Sequence, residues 1–327
     1  MGVTSADAPL LEVRSLAKHY VDRAGARLRA VDGVSFTLRR GEVLGIVGES
    51  GCGKSTLGRA VMRLVEPDAG EVRLDGRDFA RLSGRALREA RRRMQMVFQD
   101  PFGSLNPRHR AGAIIAEPMK VHGLPDAKAR VAELLRLVGL SPDAVERYPH
   151  EFSGGQRQRI AIARALALSP DIVIADEPVS ALDVSVQSQI INLIVELRAK
   201  LGLSMIFVSH DLSVVRHVAD RVAVMYFGRI VELAPTPELF AAPRHPYTQA
   251  LLAAVPRPVQ EAVKLAGRHA PPRPGFEGEM PDPADPPRGC AFRARCPIAV
   301  EKCTEAPPRL ARLSADREVA CYRAEAG

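Results

Sequence analysis

The sequence predicts an α/β fold with a largely parallel sheet, because strand-like apolar runs alternate along the chain with segments of helical periodicity. Residues 42–47 and 172–177 contain short apolar runs with the length of a buried strand. Apolar residues between 190 and 201 instead follow the spacing of one helix face, and residues 205–208 form the next strand-like run. A repeated order of strand, helix and strand is typical of such a sheet.

With 327 residues, 46% of them hydrophobic, the chain can form one large or two medium domains with a sizeable core. Its longest apolar run, around residues 172–175, is far shorter than the roughly 20 residues of a membrane helix. Residues 1–9 lack the basic and apolar regions of a signal peptide. We therefore expect a cytosolic protein, which can still sit on a membrane protein.

The net charge of +8 allows nucleic acid, anionic lipid or acidic partners. The basic residues are densest in residues 77–93, and no aromatic residue interleaves with the arginine cluster at 85–93. A stacking platform for single-stranded nucleic acid is therefore not indicated. We interpret the cluster as a solvated helix face and expect no nucleic-acid partner.

Residues 11–47 are predicted to form strands. Apolar and polar residues alternate over 34–38, which creates one apolar face. Tyr20 lies just ahead of a loop, and ordinary packing is the favoured role from that residue alone. Residues 70–76 predict a short edge hairpin, and residues 94–98 predict another strand, which ends at Gln99.

The periodicity becomes helical between residues 103 and 149. Apolar residues over 131–138 follow the spacing of an amphipathic helix, so a helical insertion is predicted between two strand-rich portions. Residues 152–156 then open a further helix. From Pro235 onward prolines become frequent, and residues 267–289 predict an irregular segment with little core of its own.

A glycine-rich loop follows the first apolar run, with the pattern G-x-x-x-x-G-K-S from Gly48 to Ser55. Its glycines, which include Gly51 and Gly53, let the backbone wrap closely around phosphates, because a Cβ there would clash or forbid the dihedral angles. The loop's N–H groups and the following helix N-terminus then face the anion together. Lys54 is predicted to reach the β- and γ-phosphates and Ser55 to ligate Mg²⁺, so the chain is predicted to bind a nucleoside triphosphate.

A second anion-facing helix start and a pair of carboxylates lie further along the chain. Ser153 can cap the helix that opens there, and two glycines leave N–H groups exposed at its N-terminus. Beside a phosphate loop, Asp176 is predicted to hold Mg²⁺ and Glu177 to act as base for the attacking water, although such a pair can also simply start a helix or turn. His210 follows another strand, where a capping role and a γ-phosphate contact both stay open.

Together these motifs resemble those of the ATP-binding cassette (ABC) family, and the match covers residues 10–235 almost completely. The resemblance implies an ABC-type P-loop NTPase fold, in which a RecA-like core carries an antiparallel β subdomain and a helical subdomain at about residues 100–168. It also implies an ATP-binding domain at residues 1–235 and a C-terminal cysteine-containing extension at residues 236–327.

The resemblance further implies a role for each motif residue. Tyr20 would stack on adenine, which reverses the packing role favoured from that residue alone. The catalytic set would be Glu177, His210 and Gln99, and the Mg²⁺ set Ser55, Gln99 and Asp176. The ATP contacts would come from Walker A, Walker B, the signature motif and the D-loop, at Gly48, Ser50, Gly51, Gly53, Lys54, Ser55, Thr56, Asp176, Ser153, Gly154, Gly155, Gln156 and Asp183.

In this family two cassettes pair head to tail, and ATP lies between the phosphate loop of one and the signature helix of the other. The two separate anion-facing helix starts of this chain fit that arrangement, because one monomer can hardly aim both at a single nucleotide. None of the motifs is degraded, so the cassette is predicted to hydrolyse ATP.

A C-terminal motif of dipeptide/oligopeptide ABC importers resembles residues 244–252 and 289–297 of this chain. The ATP-binding subunits of these importers also resemble it at residues 98–107 and 148–152. The resemblance implies a heterodimer with a second ABC ATPase subunit, on two transmembrane permeases that a substrate-binding protein feeds. It also implies a peripheral place on the cytoplasmic face of the inner membrane. Nickel, glutathione-like and other small solutes stay open as alternatives, and so does a soluble nucleic-acid ATPase, although the long coiled coil typical of that class is not seen.

Four of the five cysteines lie close together in the sequence, at Cys290, Cys296, Cys303 and Cys321. In a reducing compartment such a cluster favours metal over disulfides. Four thiolates can hold a [4Fe–4S] cluster or a structural zinc, and spacing alone leaves the two even. The family resemblance favours [4Fe–4S], and unligated buried thiols are the alternative. Cys52, in the phosphate loop, is interpreted as a tolerated small residue.

Overall fold

The computed structural model describes residues 8–21, 25–254, 281–282 and 285–324. In these ranges the chain forms two β-sheets. The strands are β1 (Leu11–Val21), β2 (Arg27–Leu38), β3 (Val43–Val47), β4 (Ala69–Leu74), β5 (Arg77–Asp78), β6 (Met94–Val97), β7 (Ile172–Asp176), β8 (Ser204–Ser209), β9 (Arg221–Tyr226), β10 (Arg229–Pro235), β11 (Ala311–Arg312) and β12 (Glu318–Val319).

Helices cover the larger sheet and build an insertion between β6 and β7. The α-helices are α1 (Lys54–Val61), α2 (Gly84–Arg92), α3 (Pro101–Ser104), α4 (Ala111–Val121), α5 (Ala127–Leu137), α6 (Gly154–Leu166), α7 (Val184–Leu201), α8 (Leu212–Val218), α9 (Thr236–Ala241), α10 (Pro246–Ala254) and α11 (Lys302–Glu305). Short 3-10 helices lie at Pro142–Glu146, Pro149–Glu151 and Arg293–Arg295. Among the described residues, no helix combines the length and the apolar character that crossing a membrane requires.

The larger sheet has the strand order β11-β12-β10-β9-β3-β8-β7-β6. Its strands from β9 to β6 run parallel, which confirms the largely parallel sheet predicted from the sequence. Strands β3, β7 and β8 are buried along their whole length, and burial on both faces explains why they read as continuous apolar runs. Because the strands are parallel, their carboxyl ends lie on one side of the sheet. The segments after β3, β6, β7 and β8 therefore all leave the sheet on that side.

The smaller sheet is antiparallel, with the order β2-β1-β4-β5, and helix α1 contacts β1 and β2. In β2, Val34, Phe36 and Leu38 are buried whereas Ser35 is exposed, as their alternation predicts. These side chains and those of α1 share one hydrophobic core with Leu44 and the other inward residues of the larger sheet. The smaller sheet therefore covers the strand that leads into the glycine-rich loop.

The insertion between β6 and β7 is a layer of helices in which α3, α4 and α5 all contact α6. The apolar positions predicted over residues 131–138 are buried inside this layer, at Val131, Leu134, Leu135 and Val138. The layer holds the start of α6, at Gly154 and Gly155, against Leu182 and the first turn of α7.

The part of the chain after residue 235 docks onto the edge of the larger sheet, where β12 pairs antiparallel with β10. The fully buried carboxylate of Glu232 accepts hydrogen bonds from Arg317 at 2.6 Å and from the N–H groups of Arg244 and His245 at 3.0 and 2.9 Å. This buried ion pair joins the extension to the sheet, and donors from three residues satisfy its carboxylate. Of the predicted irregular segment, residues 267–280 and 283–284 lie outside the described residues.

Candidate active site

The glycine-rich loop connects β3 to α1, and two of its glycines are sterically required. A Cβ on Gly48 would lie 2.1 Å from the carbonyl oxygen of Met225, and one on Gly53 would lie 1.9 Å from that of Ala30. Gly53 also has φ of 105°, in the region that residues with a Cβ rarely adopt. The backbone of the loop is therefore pressed against β2 and β9, which gives it a defined shape.

Lys54 is the first residue of α1, and its side chain folds back over the loop. Its ammonium group donates hydrogen bonds to the carbonyl oxygens of Gly48 and Glu49, both at 2.9 Å. The preceding Gly53 provides no side-chain cap, so the helix begins without a competing acceptor at its N-terminus. A positive charge and a helix N-terminus consequently face the same space, as an anion site requires.

Ser55 and Asp176 meet although they are far apart in the chain. The Ser55 hydroxyl donates to Asp176 Oδ1 at 2.7 Å. Asp176 is fully buried, its Oδ2 has no hydrogen-bond partner among the described residues, and the Arg59 guanidinium lies 3.9 Å from it. Burial raises the pKa of Asp176. A buried carboxylate oxygen without a hydrogen bond, beside a hydroxyl, suits Mg²⁺, which prefers oxygen ligands.

Glu177 follows directly at the end of β7, and two predicted side chains converge on its carboxylate. Gln99, after β6, donates to Glu177 Oε2 at 3.1 Å, and His210 Nδ1, after β8, lies 3.3 Å from the same oxygen. The Glu177 backbone has φ of 45°, which costs on the order of 1 kcal/mol for a residue with a Cβ. Its N–H donates to Val208 O at 3.0 Å, and this bond helps to hold the strained turn.

Many of these groups line one cleft of about 480 Å³, at the carboxyl ends of the parallel strands. The structure thus brings together most of the predicted phosphate, magnesium and catalytic residues, and adds Ala30, which the sequence did not single out. The cleft is lined by Ala30, Ser50, Gly51, Gly53, Lys54, Ser55, Thr56, Gln99, Glu177 and His210. Such a polar, glycine-lined space with one ammonium and one carboxylate can bind a triphosphate and orient a water for attack.

The signature turn at residues 153–156 is well formed but does not line this cleft. Ser153 Oγ accepts from the Gln156 N–H at 3.3 Å, and the Gln156 side chain accepts from the Ser153 N–H at 3.1 Å, which is a capping box. A Cβ on Gly155 would lie 2.5 Å from a Val186 methyl group, so this turn packs tightly on the start of α7. Asp183, the N-cap of α7, is exposed beside it.

Two family profiles match the chain. That of the ABC transporter family matches residues 31–180, and that of the oligopeptide/dipeptide transporter C-terminal region matches residues 231–303. The oligopeptide transport ATP-binding protein AppF of Bacillus subtilis is 51% identical over 323 residues, which cover 96% of this chain and 97% of AppF. The chain belongs to this family of ABC transporter ATP-binding proteins.

Solved ABC structures have the same fold. The protein cbiO1 from Clostridium perfringens, part of the ABC transporter complex cbiONQ, superposes with a TM-score of 0.65 at 28% identity, over 80% of this chain and 96% of cbiO1. The ATP-binding cassette MJ0796, in a dimeric post-hydrolysis state bound to ADP and Pi, gives a TM-score of 0.63 at 29% identity, over 69% of this chain and 98% of MJ0796. The predicted ABC-type P-loop fold is therefore confirmed.

Tyr20 lies near the end of β1 and does not line the cleft of this ABC cassette. Its side chain is 39% exposed, and the ammonium of Lys18 lies 5.6 Å from the centre of its ring. An exposed aromatic ring can stack on a base. Adenine stacking by Tyr20 nevertheless stays a prediction.

The predicted iron–sulfur cluster is wrong. Among the described residues, which include all four C-terminal cysteines, no group of three or more His, Cys, Asp or Glu side chains is arranged to hold a metal ion. This result also removes the zinc alternative. Burial raises the pKa of Cys290 to about 11 and raises that of Cys296, so both thiols are protonated in the metal-free chain. The cysteines pack as thiols, with the N–H of Cys290 donating to the carbonyl oxygen of Cys303 at 2.8 Å.

Two side chains of the extension contact the phosphate loop, and sequence reasoning assigned them no role. Tyr247 and Arg295 both bind Glu49, the second residue of the loop. They lie 198 and 246 positions away from it in the chain. No local pattern could have indicated these contacts, because each depends on how the extension docks.

Proposed function

We propose that this ABC cassette hydrolyses ATP to power the import of dipeptides and oligopeptides through a membrane transporter. The observation that carries the proposal is the convergence of Gln99, Glu177 and His210 on the cleft that also contains the phosphate loop. The lysine of the phosphate loop and the groups that can activate a water therefore line one space. The full-length similarity to AppF, an oligopeptide transport ATP-binding protein, supports peptides as the solute class.

In the proposed reaction, Lys54 and the loop N–H groups bind the β- and γ-phosphates and neutralise their charge. Mg²⁺ bound by Ser55, Asp176 and Gln99 would add further positive charge at the phosphates. Glu177 accepts a proton from the attacking water, and Gln99 and His210 hold its carboxylate toward the γ-phosphate. The strained backbone at Glu177 serves this orientation, because strain of this kind concentrates at active sites.

The signature turn lies outside the cleft, so a second cassette has to supply the opposite wall of the ATP site. We propose that the partner is a different ABC ATPase subunit, paired head to tail, and the dimeric form of MJ0796 supports such pairing. ATP then joins two positively polarised helix ends across the interface, and hydrolysis separates them. The pair is proposed to act peripherally on the cytoplasmic face of the inner membrane, on two permeases that receive peptide from a substrate-binding protein.

Reconstitution tests the proposal. The chain is co-expressed with its partner cassette and permeases, purified in detergent and placed in liposomes together with the binding protein. We expect uptake of a labelled dipeptide that requires ATP and is abolished by Glu177→Gln. Failure of the chain to bind permeases, combined with retention of DNA or RNA that high salt releases, would instead indicate a nucleic-acid ATPase.

A further inference from the structure

We infer that the C-terminal extension sets the shape of the phosphate loop through Arg295 and Tyr247, which makes both of them positioning residues for ATP binding. Neither residue lines the cleft. They act through Glu49, which lies in the loop between Gly48 and Ser50. The extension thereby becomes a component of the nucleotide site.

Arg295 binds the Glu49 side chain with both arms of its guanidinium group. Its Nη1 and Nη2 donate to the two carboxylate oxygens at 3.0 and 2.8 Å, and Nη1 also lies 3.4 Å from the Tyr226 hydroxyl. The Arg295 side chain is only 5% exposed, whereas that of Glu49 is 25% exposed. A bidentate pair with one partner buried is among the stronger and more directional side-chain contacts.

Tyr247 holds the backbone of the same loop residue. Its hydroxyl accepts a hydrogen bond from the Glu49 N–H at 2.9 Å, and the residue is fully buried. Its ring packs against Tyr226 of β9, with centroids 4.5 Å apart, and against Phe292 of the extension, with centroids 5.5 Å apart. The hydroxyl is therefore carried by a packed aromatic cluster that has little freedom to move.

All the polar groups of Glu49 are consequently held at once. Tyr247 accepts from its N–H, Arg295 donates to its carboxylate, and Lys54 donates to its carbonyl oxygen at 2.9 Å. A loop that is already ordered loses less conformational freedom when phosphate binds, so its affinity for ATP is higher. Arg295 also neutralises a carboxylate that would otherwise repel the triphosphate.

The role given to Arg295 rests on the proposed function, because it presumes that the cleft binds ATP. A coupling between the extension and ATP binding acts in both directions. If the docked extension favours ATP binding, bound ATP must favour the docked extension by the same factor. Amide hydrogen exchange in residues 290–296 should therefore slow when a non-hydrolysable ATP analogue is added.

The experiment compares full-length variants for binding of the non-hydrolysable analogue and for the KM and kcat of ATP hydrolysis. We expect Arg295→Ala to weaken binding and to raise KM by about tenfold, with kcat much less affected. Arg293→Ala is the matched control, because Arg293 is an exposed arginine of the same short helix. Tyr247→Phe should raise KM by a few-fold, and Tyr322→Phe, which removes a hydroxyl elsewhere in the extension, should not.

Glu49→Gln separates positioning from a purely structural role. Combined with Arg295→Ala, it removes the unpaired carboxylate and should restore part of the affinity for ATP. If Arg295 only stabilises the extension, its loss will lower the folded fraction and hence kcat, KM will stay constant, and Glu49→Gln will restore nothing. That result overturns the inference, as does a folded Arg295→Ala variant with wild-type affinity. Should Arg295→Ala fail to fold, Tyr247→Phe decides in the same way. A wild-type chain that binds no ATP contradicts the proposed function instead.

Discussion

Replacing Glu177 by Gln tests the centre of the proposed chemistry with little structural change. The two side chains have the same shape, but the amide cannot accept a proton from water. In the structure Glu177 Oε2 lies 3.1 Å from Gln99 Nε2 and 3.3 Å from His210 Nδ1, and an amide oxygen can accept from both. Neither Lys54 nor Ser55 bonds to Glu177, so the phosphate contacts should stay intact.

The expected loss of kcat in Glu177→Gln follows from the role of Glu177 as a general base. A positioned general base contributes about 10²- to 10⁴-fold to the rate. At about 1.4 kcal/mol per tenfold change, this equals a barrier increase of roughly 3 to 5.5 kcal/mol. We therefore expect kcat to fall by that factor, while the affinity for ATP stays within about twofold of wild type, because the lost interaction belongs to the transition state.

Phosphate release under saturating ATP measures kcat, and equilibrium binding of ATP measures the affinity. Glu196→Gln, at an exposed position of α7, is the matched control and should hydrolyse ATP normally. The ATP-bound Glu177→Gln protein should also accumulate as a dimer with its partner cassette, since the interface cannot be released. Wild-type turnover in Glu177→Gln would refute the role of Glu177 as base.

Three further outcomes follow from the geometry. Gly53→Ala places a Cβ 1.9 Å from a carbonyl oxygen of β2, so the loop must shift, and nucleotide titration should show ATP affinity reduced by at least about tenfold. Arg317→Met leaves the buried Glu232 carboxylate without its cation, and denaturant unfolding should show a loss of about 3 to 5 kcal/mol, against little change for the exposed Arg312→Met. Burial lowers the pKa of His245 from 6.5 to about 4, so between these values the unfolded chain binds a proton that the folded chain does not. The free energy of unfolding should accordingly fall by about 2 kcal/mol between pH 7.5 and pH 5, and His245→Asn should flatten this dependence.

Much of the active site could be predicted because its parts are local patterns. The phosphate loop needs glycines and a lysine at fixed spacing, and the signature turn needs Ser153 and Gln156 three residues apart for its capping box. The apolar runs of β3 and β7 likewise identified the strands that lead into the loop and into Asp176. Since parallel strands end at a common edge, these local predictions also implied that the motifs meet.

The cysteines show where spacing alone fails. Their positions permitted a metal site, but the spacing of residues does not determine the direction in which their side chains point. In the folded chain Cys303 is buried, Cys290, Cys296 and Cys321 are partly exposed, and the set does not converge as ligands.

The sequence by itself determined the α/β architecture, the phosphate loop and the family. The first two depend on residues that are neighbours in the chain, and the family depends on sequence similarity along most of the chain. Only the tertiary structure decided that Arg295 and Tyr247 bind Glu49, and that Asp176 keeps one buried oxygen without a hydrogen bond beside Ser55. Such contacts join residues more than a hundred positions apart, and they form only when separate elements have packed. Their geometry is a property of the packed chain, and no local pattern encodes it.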